Sequence, residues 1–283
     1  MGIDMLYAFD HPHDRPPREL IGLLGGKGAG LAEMTTVLGL PVPAGFTIAV
    51  PVCRAYQAGG WPDGLDEALQ VSCRALEQRM GRAFGGPADP LLLAVRSGAP
   101  RSMPGMLDTV LNLGLNEAAV AGLAEATGDI RFARESYRRF LTMYATTVLG
   151  LPAEKIRQAD LDGIRRIVAE EGLEIPDDPT AQVRGAVEAV FRSWDSPRAR
   201  AYRAHEGIAD DLGTAVNIQA MVFGNLGEDS GTGVVFTRNP STGEAGPYGD
   251  FLPRAQGEEV VAGAAQTLGI DAMSDALPAA YEE

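Results

Sequence analysis

A long stretch of helical sequence separates two stretches that contain strands, and this order limits the possible folds more than any other feature. Over residues 116–203 strand patterns are absent and apolar residues recur at helical spacing, most clearly over 130–144. Compact apolar runs before and after it predict strands at 46–50, 91–95, 214–223 and 231–237. We therefore expect an α+β or α/β protein with an α-helical insertion. The expected division is a first part at 1–115, an inserted helical subdomain at 116–203 and a second part at 204–283.

Glycine is gathered into short clusters. The chain of 283 residues has 35 glycines and 19 prolines without low-complexity repetition. The clusters lie at 22–30, 97–105, 224–233 and 243–249. Such clusters indicate backbone with positive φ or backbone in close approach to something else. Backbone N–H groups in such loops can hold a phosphate group.

The charge balance restricts which ligands the chain can bind. The formal net charge is -14, so binding of nucleic-acid phosphates by a broad basic surface is excluded. An anionic ligand must be held by a few basic groups focused in a cleft. No apolar run is long enough for a membrane span, and the first twenty residues lack the pattern of a signal peptide. We expect a cytoplasmic protein in which Cys53 and Cys73 are reduced.

The first candidate site is the glycine-rich segment 23–30, which opens a helix predicted at 28–38. Its spacing is neither that of a Walker A loop nor that of G-x-G-x-x-G. A glycine loop, a lysine and a helix N-terminus together can bind a polyphosphate, and Lys27 is one of only two lysines in the chain. The alternative is an ordinary loop.

The second candidate site follows the strand predicted at 91–95. Arg96 can present a bidentate guanidinium group to phosphate oxygens. Arg101 and Ser102 lie on a loop rich in glycine and proline that can cover the same anion. A solvated turn with a surface arginine is the alternative.

Two further segments are weaker candidates. The strand around Gln219, Met221 and Val222 suits a segment that lies against an adenine ring, although a plain core strand has the same pattern. Glu258 and Glu259 stand beside a glycine turn and can bind ribose hydroxyls, or they can belong to a solvated turn. The three histidines have no metal-ligand spacing with the cysteines.

Several segments, in chain order, resemble one known family. They are LLGGKGAGLAEM, VRSGAPRSMPGMLDTVLNLGLN, RFARESYRRF, FRSWDSPRA, GTAVNIQAMVFGN, SGTGVVFTRNPSTGE and AQGEEVVAG. Over residues 19–265 the chain resembles the N-terminal nucleotide-binding domain of the pyruvate, phosphate dikinase family. MPGMLDTVLNLGLN and FTRNPSTGE favour that family over the related phosphoenolpyruvate synthases.

The resemblance implies an ATP-grasp-type fold with a helical subdomain inserted between its halves, and ATP and Mg²⁺ as cofactors. It implies that Lys27 and Arg96 act on the ATP phosphates as catalytic residues and that the 97–105 loop closes over them. The cofactor-binding residues it implies are Gly26, Lys27, Gly28, Arg96, Ser97, Gly98, Arg101, Ser102 and Gly105 at the phosphates, Gln219, Met221 and Val222 at the adenine, and Glu258 and Glu259 near the ribose.

In the family, the ATP domain phosphorylates a histidine on a separate domain, which then visits a pyruvate-binding domain. The carrier signature, a Thr-Ser-His-Ala run, is absent from this sequence. The resemblance places the acidic Mg²⁺ ligands beyond Glu283, so we expect an incomplete ATP-grasp part that does not turn over the full reaction alone.

Several alternatives to such a truncated form remain open. They are a free-standing ATP-binding or regulatory module, a subunit completed by another chain, and the N-terminal domain of a phosphoenolpyruvate synthase-like enzyme. Unpaired strand edges at an incomplete C-terminus make a homodimer possible.

Overall fold

The computed structural model describes residues 5–261 and 266–282 and confirms a mixed helix-and-sheet fold. The chain forms two compact units with their boundary between Met221 and Val222. The boundary predicted at residue 204 differs from this one because the strand at Ala215–Ala220 pairs within the sheet of the first unit. The three-part division stays a prediction.

A five-stranded antiparallel sheet forms the centre of the first unit. Its strands are β1 (Leu6–Ala8), β2 (Gly45–Ile48), β3 (Leu93–Gly98), β4 (Thr109–Leu113) and β5 (Ala215–Ala220). Their order across the sheet is β1-β2-β5-β3-β4, so the last strand in sequence is the central one. Side chains alternate between the two faces along each strand, and Ile48, Val95 and Ile218 are fully buried.

Before β4 the first unit also contains a 3₁₀-helix at Pro17–Leu20 and three α-helices. The α-helices are α1 (Ile21–Thr36), α2 (Val50–Gly59) and α3 (Leu65–Met80). Helix α1 packs against β2, β3 and β5. The helix predicted at 28–38 therefore exists but begins earlier, and it contains a break at Gly25. Gly81, with φ +65°, ends α3 because a left-handed residue cannot continue the helix.

Between β4 and β5 every element is helical: a π-helix at Tyr144–Val148, a 3₁₀-helix at Asp210–Leu212 and six α-helices. The α-helices are α4 (Glu117–Thr127), α5 (Ile130–Met143), α6 (Ala153–Ile156), α7 (Leu161–Glu170), α8 (Pro179–Ser193) and α9 (Pro197–Glu206). Short polar side chains accept hydrogen bonds from first-turn N–H groups of α4, α5, α7, α8 and α9, which explains where those helices begin. Helix α8 packs against β3, β4 and β5, which joins the helical segment to the sheet.

The second unit contains a three-stranded antiparallel sheet. Its strands are β6 (Gly231–Arg238), β7 (Ala245–Pro253) and β8 (Leu268–Gly269), accompanied by α10 (Gly257–Val261), α11 (Met273–Ala276) and α12 (Pro278–Glu282). The turn between β6 and β7 is held by Asn239, whose side-chain oxygen accepts hydrogen bonds from the N–H groups of Ser241 and Thr242. Within the described ranges, every helix is too short or too polar to span a bilayer.

Candidate functional site

The first two candidate segments of the sequence meet at one cleft of about 640 Å³ in the first unit. The break in α1 supplies one wall, and the end of β3 with the loop that follows supplies the other. The lining residues are Gly26, Lys27, Ser97, Ala99, Pro100, Arg101, Ser102, Met103, Pro104, Gly105, Leu107 and Thr109. The cleft is therefore lined by the glycine loop, its lysine and the glycine- and proline-rich loop together.

Gly25 makes this meeting possible because it breaks α1. Its φ of +68° and ψ of 170° are not helical, so the helix starts again at the next residue. A Cβ atom at Gly25 would lie 1.5 Å from the carbonyl oxygen of Gly98, which leaves room for glycine only. The N–H of Gly26 donates a hydrogen bond to the carbonyl oxygen of Ala99 at 3.1 Å. The restarted helix thus presents its first turn to the cleft.

Gly28 brings the restarted helix into contact with the sheet. A Cβ atom there would lie 2.7 Å from Thr47 Oγ1 and 3.0 Å from Asn217 Oδ1. The Thr47 hydroxyl donates a hydrogen bond to Asn217 Oδ1 at 2.8 Å, and both residues are 1% exposed. Gly98 is equally close, since its Cβ would lie 2.4 Å from Asn217 Nδ2. The side chain of Asn217 therefore contacts both glycine segments, the one at Gly28 and the one at Gly98.

Lys27 carries its positive charge at the edge of the cleft. Its ammonium group donates a hydrogen bond to the carbonyl oxygen of Ser97 at 3.0 Å. Burial of the charge, and then the neighbouring Arg96 guanidinium, lower the pKa of Lys27 below its ordinary value. A negatively charged ligand here would be attracted by both groups and would relieve their mutual repulsion.

Arg96 belongs to a row of polar residues across the sheet. On β3 it lies opposite Asn217 of β5 and Thr109 of β4, and Asn217 in turn lies opposite Thr47. Directly opposed residues share a face, so Arg96 projects on the face that α1 covers. Its side chain is exposed, unlike the buried Thr47 and Asn217. Arg96 is not among the described residues that line the cleft, and its contact with a ligand stays a prediction.

The loop after β3 presents two exposed polar side chains between buried residues. Arg101 and Ser102 are exposed, whereas Ser97 and Met103 are 6% and 8% exposed. Gly105 has φ +70°, which permits the turn back towards β4. Gly98 pairs with Ala215 in β5, so Arg96, Ser97 and Gly98 extend β3 beyond the predicted end of that strand.

The residues predicted at the adenine lie on both sides of the unit boundary. Gln219 is on β5, and its side-chain amide donates a hydrogen bond to the carbonyl oxygen of Pro43 at 3.0 Å. The N–H of Met221 donates to the carbonyl oxygen of Leu92 at 2.9 Å. Val222 begins the second unit and is 69% exposed. Their contact with a nucleobase stays a prediction.

The two predicted ribose ligands lie on α10 in the second unit. The N–H of Glu259 donates to the carbonyl oxygen of Gln256 at 3.0 Å, and the Glu259 carboxylate accepts from the Gln256 N–H at 3.5 Å. The side chain of Glu258 and all of Gly263, which ends the same motif, lie outside the described residues. A role of Glu258 and Glu259 at a ribose stays a prediction.

Metal-ligating and nucleophilic groups are dispersed. The described part of the chain contains no group of three or more His, Cys, Asp or Glu side chains arranged to bind a metal ion. His11 and His13 pack against Tyr7, and His205 lies next to Glu206. Both cysteines are free thiols, and burial raises the pKa of Cys53 to about 11 and of Cys73 to about 12.

The sequence patterns did not predict the residues that support the cleft from beneath or hold its loop. Neither Thr47 nor Asn217 was predicted to support the phosphate site, although each is a buried polar residue with apolar neighbours on both sides in its strand. A polar residue at a buried strand position is a detectable signal, because burial without a partner is unfavourable. Arg198 and Asp108, which hold the loop after β3, give no comparable signal because both read as surface charges.

Comparison with known proteins agrees with these observations. Residues 57–268 match the family described as "Pyruvate phosphate dikinase, AMP/ATP-binding domain". The chain is similar to pyruvate, phosphate dikinase 1, chloroplastic, of Oryza sativa subsp. japonica, with 50% identity over 92% of this chain and 30% of that protein. It is 48% identical to pyruvate, phosphate dikinase of Clostridium symbiosum, over 92% of this chain and 33% of that protein. The chain thus spans about a third of the length of these curated relatives.

Proposed function

Because the chain belongs to the pyruvate phosphate dikinase AMP/ATP-binding domain family, we propose that it binds Mg·ATP in the cleft beside Lys27. We further propose that it donates the pyrophosphoryl group of ATP to a carrier histidine outside this sequence, which leaves AMP. The single observation that carries the proposal is that Gly26 and Lys27, at the start of the restarted helix, line the same cleft as the loop that bears Arg101 and Ser102.

The chemistry of the cleft suits a polyphosphate. Its polar lining consists of an ammonium group, a guanidinium group, hydroxyl groups and the first-turn backbone of a helix. Helix N-termini attract anions because their N–H groups lack intrahelical acceptors. In a chain with a net charge of -14, this concentration of cationic groups favours the cleft over the rest of the surface for an anion.

The proposed phosphate contacts divide between two elements. Lys27 and the backbone of Gly28 would hold the phosphates from the side of α1, and Gly26, whose N–H donates to Ala99, would line the cleft beside them. Arg96, Ser97, Gly98, Arg101, Ser102 and Gly105 would hold them from β3 and its loop. In the same proposal Gln219, Met221 and Val222 lie at the adenine, and Glu258 and Glu259 lie near the ribose.

Mg²⁺ enters this proposal with the nucleotide. The described lining of the cleft contains cationic groups and hydroxyls and no carboxylate, so it does not fit a metal ion held by the protein. The proposed ligand is therefore the preformed Mg·ATP complex.

The residues of the cleft would promote transfer by positioning and charge neutralisation. Lys27 and Arg96 would offset negative charge that moves with the transferred group, and no side chain is required as a base. The complete reaction, from ATP, phosphate and pyruvate to AMP, pyrophosphate and phosphoenolpyruvate, would need carrier and pyruvate domains supplied elsewhere. This chain alone would not produce phosphoenolpyruvate.

The fold proposed for this function is of the ATP-grasp type. The sheet of the first unit would form one half, the helices between Glu117 and Glu206 would be the insertion, and the second unit would form part of the other half. The two hydrogen-bonded sheets in sequence order, with the helical segment inside the first unit, support this assignment.

Titration calorimetry with Mg·ATP tests the site. Loss of one charged contact weakens binding by roughly 10- to 100-fold, and we expect this for both Lys27→Ala and Arg96→Ala. Lys155→Ala is the matched control because Lys155, the only other lysine, pairs with exposed Glu171 on the helical segment. Tight binding that neither cleft variant alters, or equal losses in all three variants, would contradict the assignment.

A further inference from the structure

The loop that carries Arg101 and Ser102 is anchored to the helical segment. Its exposed residues are followed by Met103, which is 8% exposed and packs with Trp194 and Ala199 in one apolar cluster. Ala99, Met106 and Leu107 pack against the same cluster. The loop thus turns its apolar side chains to the helices and two polar ones to solvent beside the cleft.

Arg198 holds the C-terminal end of this loop, at Met106 and Asp108, by a hydrogen bond and an ion pair. Its Nε donates a hydrogen bond to the carbonyl oxygen of Met106 at 3.1 Å, and its guanidinium group pairs with the carboxylate of Asp108. The N–H of Asp108 donates to Ser193 Oγ at 3.3 Å. Three polar contacts therefore connect residues 106–108 to α8 and α9.

The helical surface that the loop contacts is held by hydrogen bonds and a cation–π contact. The Trp194 indole N–H donates to the carbonyl oxygen of Asp210 at 2.8 Å. The Arg203 guanidinium lies 4.4 Å from the centre of the Trp194 ring and donates to Asp210 Oδ1 at 2.7 Å. Arg203 is 1% exposed, so its charge is held in place by these partners. Trp194, against which Met103 packs, is therefore itself fixed by Asp210 and Arg203.

We infer that Arg198, Asp108 and Met103 are positioning residues that hold Arg101 and Ser102 ready for the polyphosphate of the nucleotide. This inference rests on the proposed function. The anchoring contacts surround Pro104 and Gly105, so the loop is fixed on both sides of its turn. A loop ordered before binding loses less conformational freedom when the ligand arrives, and its affinity is correspondingly higher. The helical segment thereby sets the nucleotide affinity of a cleft to which it contributes no lining residue among those described.

The test compares Arg198→Ala with Arg200→Ala in the full 283-residue chain. Arg200 is the matched control because it lies on the same helix, is 65% exposed and pairs only loosely with Asp195 at 3.7 Å. We expect Arg198→Ala to weaken Mg·ATP binding by about 10-fold and AMP binding by much less, because AMP has a single phosphate to contact. Arg200→Ala should leave both affinities unchanged.

Two further measurements separate positioning from general damage. Hydrogen–deuterium exchange of peptides covering 99–108 should quicken in Arg198→Ala and not in Arg200→Ala. The charge-swapped pair Arg198→Asp with Asp108→Arg should recover part of the lost affinity for Mg·ATP. A parallel loss of ATP and AMP affinity, or unchanged exchange in the loop, would overturn the inference.

The outcomes also distinguish this inference from the proposed function. If the unmodified chain binds Mg·ATP and Lys27→Ala weakens binding, the site stands, and unchanged binding by Arg198→Ala then overturns the anchoring role alone. If the unmodified chain does not bind Mg·ATP, both are overturned.

Discussion

The ammonium group of Lys27 and the carbonyl oxygen of Ser97 lie 3.0 Å apart, although 70 positions separate the two residues in sequence. This hydrogen bond joins the restarted α1 to the end of β3. It also directs the ammonium group towards the cleft instead of bulk solvent.

Replacement of Lys27 should weaken Mg·ATP binding without lowering the thermal stability of the chain. Its pKa is lowered by burial and by Arg96, so at neutral pH the charged form is less favourable in the folded chain than in the unfolded one. We expect Lys27→Met to weaken Mg·ATP binding by roughly 10- to 100-fold while thermal unfolding shows an unchanged or slightly higher Tm. A clear fall in Tm would show that the Ser97 hydrogen bond outweighs the unfavourable charge.

Nucleotide binding should take up protons at alkaline pH. The pKa of Lys27 is lowered in the free chain, and the negative phosphates would raise it again on binding. Between the free and bound pKa values, part of the Lys27 population then gains a proton. Calorimetry at a series of alkaline pH values, each in two buffers of different ionisation enthalpy, measures this uptake directly. Lys27→Arg, which stays charged, should abolish the buffer dependence.

Two glycines of α1 should respond oppositely to alanine. Gly28→Ala places a methyl group 2.7 Å from Thr47 Oγ1, and we expect a destabilisation of about 1–3 kcal/mol. Gly30→Ala, two positions along the same helix, meets nothing within 4 Å and should stabilise by roughly 0.5–1 kcal/mol. Urea unfolding of both variants gives the comparison. Similar changes of the same sign would refute the close approach of α1 to the sheet.

The two thiols should be unreactive in the folded chain. Burial raises the pKa of Cys53 to about 11 and of Cys73 to about 12, so little thiolate exists at pH 8. We expect alkylation by iodoacetamide at pH 8 to be at least ~10-fold slower than in the urea-unfolded chain. Mass spectrometry of timed samples provides the rates, with Cys53→Ser and Cys73→Ser assigning each site.

Much of the fold follows from sequence patterns. The apolar runs at 91–95 and 231–237 correspond to β3 and β6, and the helical spacing over 130–144 corresponds to α5. These elements have strong periodicity and clear boundaries, so local rules suffice for them. The glycine clusters at 22–30 and 97–105 indicated close backbone approach, and the structure brings these two clusters together.

Other elements depend on tertiary contacts that local patterns do not contain. Strand β1 has three residues and exists through its pairing with β2, while β4 contains Asn112 with φ +58°. The run at 46–50 predicts a strand to its end, yet Val50 begins α2 because Pro51 fits the first turn of a helix. The position of Lys27 relative to Ser97 likewise depends on a helix break that only the packing of Gly25 against Gly98 explains.

The central place of β5 has a consequence for how the chain is made. β5 is the last of the five strands to leave the ribosome, and about 100 residues separate it from the end of β4. At a synthesis rate of roughly 5–20 residues per second, β5 is made about 5–20 s after β4. During that time β2 and β3 each have an unpaired edge, because β5 is the strand that pairs with both. The helices made in that interval can fold by local contacts. The cleft beside Lys27, whose supporting residue Asn217 lies on β5, therefore cannot be assembled during translation until β5 has been synthesised.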